Sequence, residues 1–216
     1  MSRVTAPARS RLQVDERRAQ LLELGLRLFS ERAYDEVSID DIAREAGVSK
    51  GLLYHYFGGK RAFYVACVDA AAAALVERTE PTHELSEPDR ARRGLEAYLD
   101  FVEERAGAYG ALMRSGIGHD PEVAAILEGA RRAIVDRMLE GMGVRPPRPL
   151  VRLAARSWIG QVEAACLEWL ERRDVPREAL IRLLLGALYG TLSTVKLLDP
   201  EAPFELDPSL MSALEG

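Results

Sequence analysis

Cysteine is nearly absent from this 216-residue chain: Cys67 and Cys166 stand far apart, and no CxxC or HExxH spacing occurs anywhere. A disulfide or a bound metal is therefore not expected, and two buried free thiols in a reducing compartment are. Histidine is almost as rare, with only His55, His83 and His119. None lies in a nucleophile, metal or phosphate-binding motif, and the adjacent carboxylates Glu103 and Glu104 read as a solvated helix face. The expectation is no enzyme, no metal and no cofactor. Aromatic residues make up only 6% of the chain, and no alternating run of Val, Ile and Thr suggests a sheet. The apolar run from Ala70 to Val76 is far too short to span a bilayer, and no secretory signal is recognisable. A cytoplasmic protein with no membrane partner is expected.

Ala, Leu, Glu and Arg dominate, and 48% of residues are hydrophobic. That composition points to an all-α protein of one or two domains with a sizeable core. The net charge is −5, unevenly spread. Residues 1–61 hold eleven Lys or Arg against nine Asp or Glu, so they carry +2 and the remainder −7. Arg3, Arg9 and Arg11 stand in the first eleven residues with no acid among them. Residues 1–14 read as a basic disordered arm. Two readings of that arm stand side by side: it lies along an anionic backbone, or it is a solvated tail.

The most informative stretch is Ser38 to Phe57. Ser38 is placed to cap a helix, with Asp41 at capping-box spacing, and Asp40 and Asp41 sit at the positive end of the helix dipole. Ile39, Ile42 and Ala43 recur at helical spacing and form one apolar face. Gly47 supplies the turn through left-handed backbone angles, and Ser49 caps a second helix. Val48, Leu52 or Leu53, and Phe57 are left to close the small core. Lys50, Gly51, Tyr54, His55 and part of Tyr56 then face outward. Two short helices with a polar second face have the shape of a helix-turn-helix, whose second helix enters the DNA major groove. Beyond it, Gly58-Gly59-Lys60-Arg61 breaks the helix and opens another. A lysine at a helix N-terminus is a good phosphate clamp.

Two short amphipathic helices joined by glycine also occur in proteins that never touch DNA, and a helical protein–protein interaction module is the alternative. The wider pattern speaks for DNA. From about Asp15 to Val76 the chain resembles the DNA-binding domain of the TetR family of bacterial transcriptional regulators. The matching positions are Leu28-Phe29-Ser30-Glu31-Arg32-Ala33-Tyr34, Val37-Ser38-Ile39-Asp40-Asp41-Ile42-Ala43, Ala46-Gly47-Val48-Ser49-Lys50-Gly51 and Leu53-Tyr54-His55-Tyr56-Phe57, with Lys60 at the family's spacing. Gly58-Gly59 replaces the polar residue that often precedes the lysine. Leu52 stands where a polar or small side chain is common, so it faces either a thymine methyl or the core.

The resemblance implies a three-helix DNA-binding domain over 15–76 and a larger helical effector-binding and dimerisation domain over 77–216. The DNA-facing set it implies is Ser38, Arg44, Ser49, Lys50, Gly51, Tyr54, His55, Tyr56 and Lys60. It also implies a homodimer through the last two helices, a palindromic double-stranded operator and a small-molecule effector that releases it, which is the logic of a repressor.

The second half has its own pattern. Residues 79–90 are polar with two prolines and read as a loop, and a further break falls at 115–121. Helices are expected over about 123–142, 150–172 and 177–198, the last two antiparallel because their connection is short. That pair carries more apolar residues than one buried face requires, which suits either a dimer interface or a thick core. Candidate effector-lining residues are Tyr98, Met113, Trp158, Val162 and Trp169. Arg114, His119, Arg131 and Glu163 are candidates for its polar end.

Overall fold

The computed structural model describes residues 6–80, 86–114, 120–146 and 148–206, the side chains of 6–14, 87, 88 and 114 excepted. Among the described residues there is no strand. The helices are α1 (Ala6–Glu31), α2 (Ile39–Ala46), α3 (Lys50–Phe57), α4 (Lys60–Arg78), α5 (Glu87–Glu104), α6 (Ala106–Arg114), α7 (Pro121–Gly141), α8 (Pro149–Arg172) and α9 (Arg177–Leu198). A single 3-10 turn at Tyr34–Glu36 joins α1 to α2. They group into two compact units that interleave along the chain. One is built from 1–72 and 105–126, the other from 73–104 and 127–216.

Two differences from the sequence reading have local causes. The chain is helical from Ala6, where composition suggests an arm as far as residue 14. Pro7 falls in the first helical turn, where its missing N–H removes no hydrogen bond, so it does not delay the helix. Residues 1–5 lie outside the described residues. The polar segment after α4 is also shorter than expected, because α5 begins at Glu87. The Ser86 hydroxyl accepts the Asp89 N–H at 3.4 Å and donates to the Asp89 carboxylate at 2.5 Å, forming an N-cap, and Pro88 again sits in the first turn.

In the first unit α1 packs on α2 and α6, and α2 on α3. Its core is Leu21, Leu28, Phe29, Val37, Ile42, Leu53, Phe57 and Phe63. Phe57 meets Phe63 edge-on at 4.8 Å, and Phe29 meets Tyr64 at 4.8 Å. The α1–α6 crossing is very close. A Cβ at Gly107 would lie 2.5 Å from the Ser30 carbonyl oxygen, and backbone cannot yield as a flexible side chain does. Gly107→Ala should therefore destabilise the protein by about 1–3 kcal/mol. Thermal unfolding followed by circular dichroism reads this as a midpoint several degrees lower. An unchanged midpoint would mean that the two helices do not cross so tightly.

In the second unit α8 and α9 pack together and both pack on α5. Pro149 occupies the first turn of α8. Trp158 in α8 donates its indole N–H to the Leu184 carbonyl of α9 at 2.8 Å. Trp169 donates to the Val175 carbonyl at 2.7 Å, and the Arg173 guanidinium lies 4.0 Å from the centre of its ring. These contacts lock the turn between the two helices. Cys67 and Cys166 are buried free thiols, and burial pushes both up to about 12, which leaves them inert at neutral pH.

Candidate nucleic-acid interface

The interface is built by two caps and a left-handed glycine. Ser38 begins α2 with a complete capping box: its hydroxyl accepts the Asp41 N–H at 3.1 Å, and its own N–H donates to the Asp41 carboxylate at 2.9 Å. Gly47 ends the helix at φ 63°, ψ 33°, a conformation glycine adopts without strain. Ser49 then accepts the Leu52 N–H at 3.2 Å and starts α3. With that register Leu53 and Phe57 are buried, whereas Leu52 is half-buried. Leu53 is the residue that closes the core.

The opposite side of α3 is left to solvent. Lys50, Gly51, Tyr54 and His55 are exposed, as are Ser38, Arg44 and Ser49, while Tyr56 and Lys60 are half-buried. Tyr54 is 52% exposed, unusual for a large aromatic side chain. The His55 and Tyr56 rings meet edge-on at 5.9 Å. All nine residues singled out from the sequence thus belong to α2, α3, their caps and the start of α4.

Several already have partners. Lys50 pairs with Asp40, and Arg44 with Asp41. Such exposed ion pairs contribute only about 0–1 kcal/mol, so exchanging a carboxylate for another anion costs little. Ser38 is different, since its hydroxyl proton is directed at the Asp41 carboxylate at 2.5 Å. Lys60 holds its ammonium 4.2 Å from the centre of the Tyr34 ring, a cation–π contact that fixes the side chain at the α4 N-terminus.

Sequence reasoning missed Tyr34 in that role, and it missed the neighbour of Lys60. Arg61 grips Asp120 with two hydrogen bonds, at 2.8 and 2.7 Å, and reaches Glu122 at 3.0 Å. The partners lie some sixty residues away in sequence, so no local pattern signals them.

Two carboxyls here titrate unusually. The Ser38 hydroxyl and N–H and the Arg44 guanidinium hold Asp41 well below the usual carboxylate range. The Arg61 guanidinium does the same to Asp120. A depressed folded-state pKa gives stability that is present above the ordinary value of about 3.9 and is lost as pH falls through the folded one. Asp41→Asn should therefore flatten the dependence of the unfolding midpoint on pH below about 4. Melting curves recorded from pH 5 to 2 test this, and parallel curves for both proteins would contradict it.

Comparison with known proteins bears directly on this geometry. Residues 21–67 match the family model described as bacterial regulatory proteins, tetR family, and residues 88–189 match the one described as tetracyclin repressor-like, C-terminal domain. A crystal structure of a tetR-family transcriptional regulator from Streptomyces coelicolor superposes with a TM-score of 0.79 at 33% identity, covering 93% of this chain and 89% of that one.

The chain belongs to the TetR family.

The transcriptional activator FasR of Mycolicibacterium smegmatis is 28% identical over 195 residues, 87% of this chain and 88% of its own. The transcriptional repressor KstR2 of Mycobacterium tuberculosis is 46% identical over 48 residues, 22% of this chain and 24% of its own. These TetR-type relatives are transcriptional regulators rather than enzymes, and a DNA-binding regulator is what the match supports; a helical interaction module without DNA binding is not favoured.

The second unit of this TetR-family chain contains a cavity of about 150 Å³. Its wall is mostly apolar and includes Leu95, Tyr98, Met138, Trp158, Val162 and Tyr189, with Arg90 and Arg137 among the polar residues. Of the residues suggested by sequence, Tyr98, Trp158 and Val162 line it. Trp169 does not, because its ring is engaged at the α8–α9 turn. Met113, on α6 in the first unit, does not either. Arg131 and Glu163 bind each other at 2.8 Å and tie α7 to α8 instead of lining the cavity. The side chain of Arg114, and His119 altogether, lie outside the described residues. Arg90 and Arg137 carried a periodic signal that could have found them: Arg90 lies one turn before Gly94, and Arg137 one turn from Ile134 and from Gly141.

Proposed function

We propose that this TetR-family regulator is a cytoplasmic homodimeric repressor that holds a palindromic operator through Lys50, Gly51, Tyr54, His55, Tyr56 and Lys60, and is released by a small lipophilic effector. The observation that carries the DNA reading is the division of α3. Leu53 and Phe57 fix the helix from below, and its polar face, with Tyr54 half exposed, is left open by the described residues. Ser49 and Gly51 permit close backbone approach at the helix N-terminus, where free N–H groups favour phosphate. Arg44 supplies a further cation. Ser38 serves chiefly to hold the helix in place.

The dimer reading rests on apolar surface that one chain leaves uncovered. Leu153 on α8 is 59% exposed, and Leu183 and Leu197 on α9 are 62% and 81% exposed. Small exposed residues share these helices, Ser157 and Ala164 on α8 and Gly190 and Ser193 on α9, and allow close helix approach. Leu183, Gly190 and Leu197 recur every seven residues, the spacing of a helix-packing seam. α9 is also long and apolar enough to cross a membrane, but 44% of that stretch is buried against its own fold. We read it as a core and interface helix.

The effector reading rests on the apolar cavity of the second unit. An effector that binds better to the form unable to grip DNA must release it, and DNA must weaken that effector by the same factor. The sense of regulation is tested by placing the operator-bearing promoter before a reporter, with and without the regulator gene. Higher expression on deletion supports a repressor, and lower expression an activator.

A further inference from the structure

The cavity is small for an effector site. At about 150 Å³ it falls below the roughly 300–1,000 Å³ of ordinary ligand sites. Most of its wall is helix, which recedes only by shifting as a whole. Besides Thr79 and Met142 at helix ends, the non-helical part is Phe204, Glu205 and Leu206, which belong to the segment that follows α9. That segment lies beyond residue 189, where the match to the family's C-terminal domain ends.

The segment is held down by specific contacts. Phe204 is only 5% exposed and Ala202 only 2%. Lys196, near the end of α9, donates to the Ala202 carbonyl at 2.9 Å and the Pro200 carbonyl at 3.4 Å, and its ammonium lies 5.5 Å from the Phe204 ring centre. Arg148 pairs with Asp199 at 2.7 Å and donates to the Glu201 carbonyl at 3.0 Å. Within the segment, backbone bonds run from Ala202 to Asp199 and from Phe204 to Ala202, both 2.9 Å. A large ring is thus pressed into the cavity by a short strap held chiefly through two basic side chains. Glu205, at the edge, is 96% exposed and does not fill it.

We propose that residues 199–206 form a displaceable strap whose Phe204 ring occupies the place taken by the apolar body of the effector. Resting on the reading of this cavity as the effector site, the strap sets both affinity and the size of ligand admitted. The wall that remains is mostly apolar with two arginines, Arg90 and Arg137, which also donate to the Gly141 and Val76 carbonyls, and it fits a ligand with an apolar body and one anionic end. Because the closed strap makes only a fraction of molecules competent to bind, it lowers the apparent affinity by that fraction.

The test uses the full chain and anilinonaphthalene sulfonate, an aromatic body bearing one sulfonate, titrated by fluorescence. Phe204→Ala and, independently, Lys196→Met, which keeps the stem but removes the donor and charge, should each bind the probe about fivefold tighter or more. Gly94→Phe fills the cavity, since Gly94 lines it and a Cβ there meets nothing within 4 Å. That change should abolish binding alone and in combination with Phe204→Ala. If Gly94→Phe abolishes binding but neither strap variant tightens it, the strap proposal is overturned and the cavity reading stands. If Gly94→Phe leaves binding intact, the probe sits elsewhere and the cavity reading fails with it. Should Phe204→Ala prove unfolded by circular dichroism, the Lys196→Met result decides.

Discussion

Replacing Leu183 with arginine should leave each chain folded and lower operator affinity by about a hundredfold, the equivalent of about 3 kcal/mol. Leu183 is 62% exposed in the single chain, so the substitution removes little packing there. Surface changes away from caps and cores usually shift stability by no more than about 0.5 kcal/mol. In the proposed dimer the same position recurs on the partner helix across the two-fold axis. Two arginines brought to one apolar seam are desolvated and repel each other, and such juxtapositions cost several kcal/mol. A lone protomer then has one recognition helix for one half-site, too few base contacts for tight binding. Sedimentation should give the monomer mass with an unchanged helical spectrum. A dimer that still binds DNA fully would place the interface elsewhere.

The second large effect separates a charged group from an uncharged one. Lys60→Ala should weaken operator binding about tenfold and reduce the dependence of log affinity on log salt by about 0.9 for each phosphate no longer neutralised, hence by nearly two in a dimer. The reason is counterion release, which follows only when a cation neutralises a phosphate. Tyr34 already holds the Lys60 ammonium at 4.2 Å, so the lysine is placed before DNA arrives. Tyr54→Ala should weaken binding comparably with the slope unchanged, because a hydroxyl or ring against the duplex displaces no condensed ion. Both are read from anisotropy titrations at several salt concentrations. Equal slopes for all three proteins would remove Lys60 from the phosphate backbone.

What the sequence reveals about this protein is whatever is decided locally. The Ser38 cap, the left-handed Gly47 and the Ser49 cap each follow from a residue and its near neighbours, and each is found where the spacing places it. The closing helix pair, expected over about 150–172 and 177–198, spans Pro149–Arg172 and Arg177–Leu198, because Pro149 and the short 173–176 connection mark it plainly. Long-range choices are not local and were not legible. Periodicity makes α6 amphipathic but does not say that it packs on α1 through Gly107. Nothing near Arg61 announces Asp120, and a tryptophan such as Trp169 looks alike from sequence whether it lines a cavity or locks a turn. The strap has no periodicity at all, and only its bonds to Lys196 and Arg148 reveal it.

The most direct measurement is fluorescence anisotropy of the purified protein on duplex DNA from just upstream of its own coding region, against a scrambled duplex of equal length. The account predicts tight, salt-dependent binding that prefers the upstream DNA and saturates at two chains per site. Equal, weak binding to this duplex and its scramble, repeated for the promoters of neighbouring genes, would contradict it.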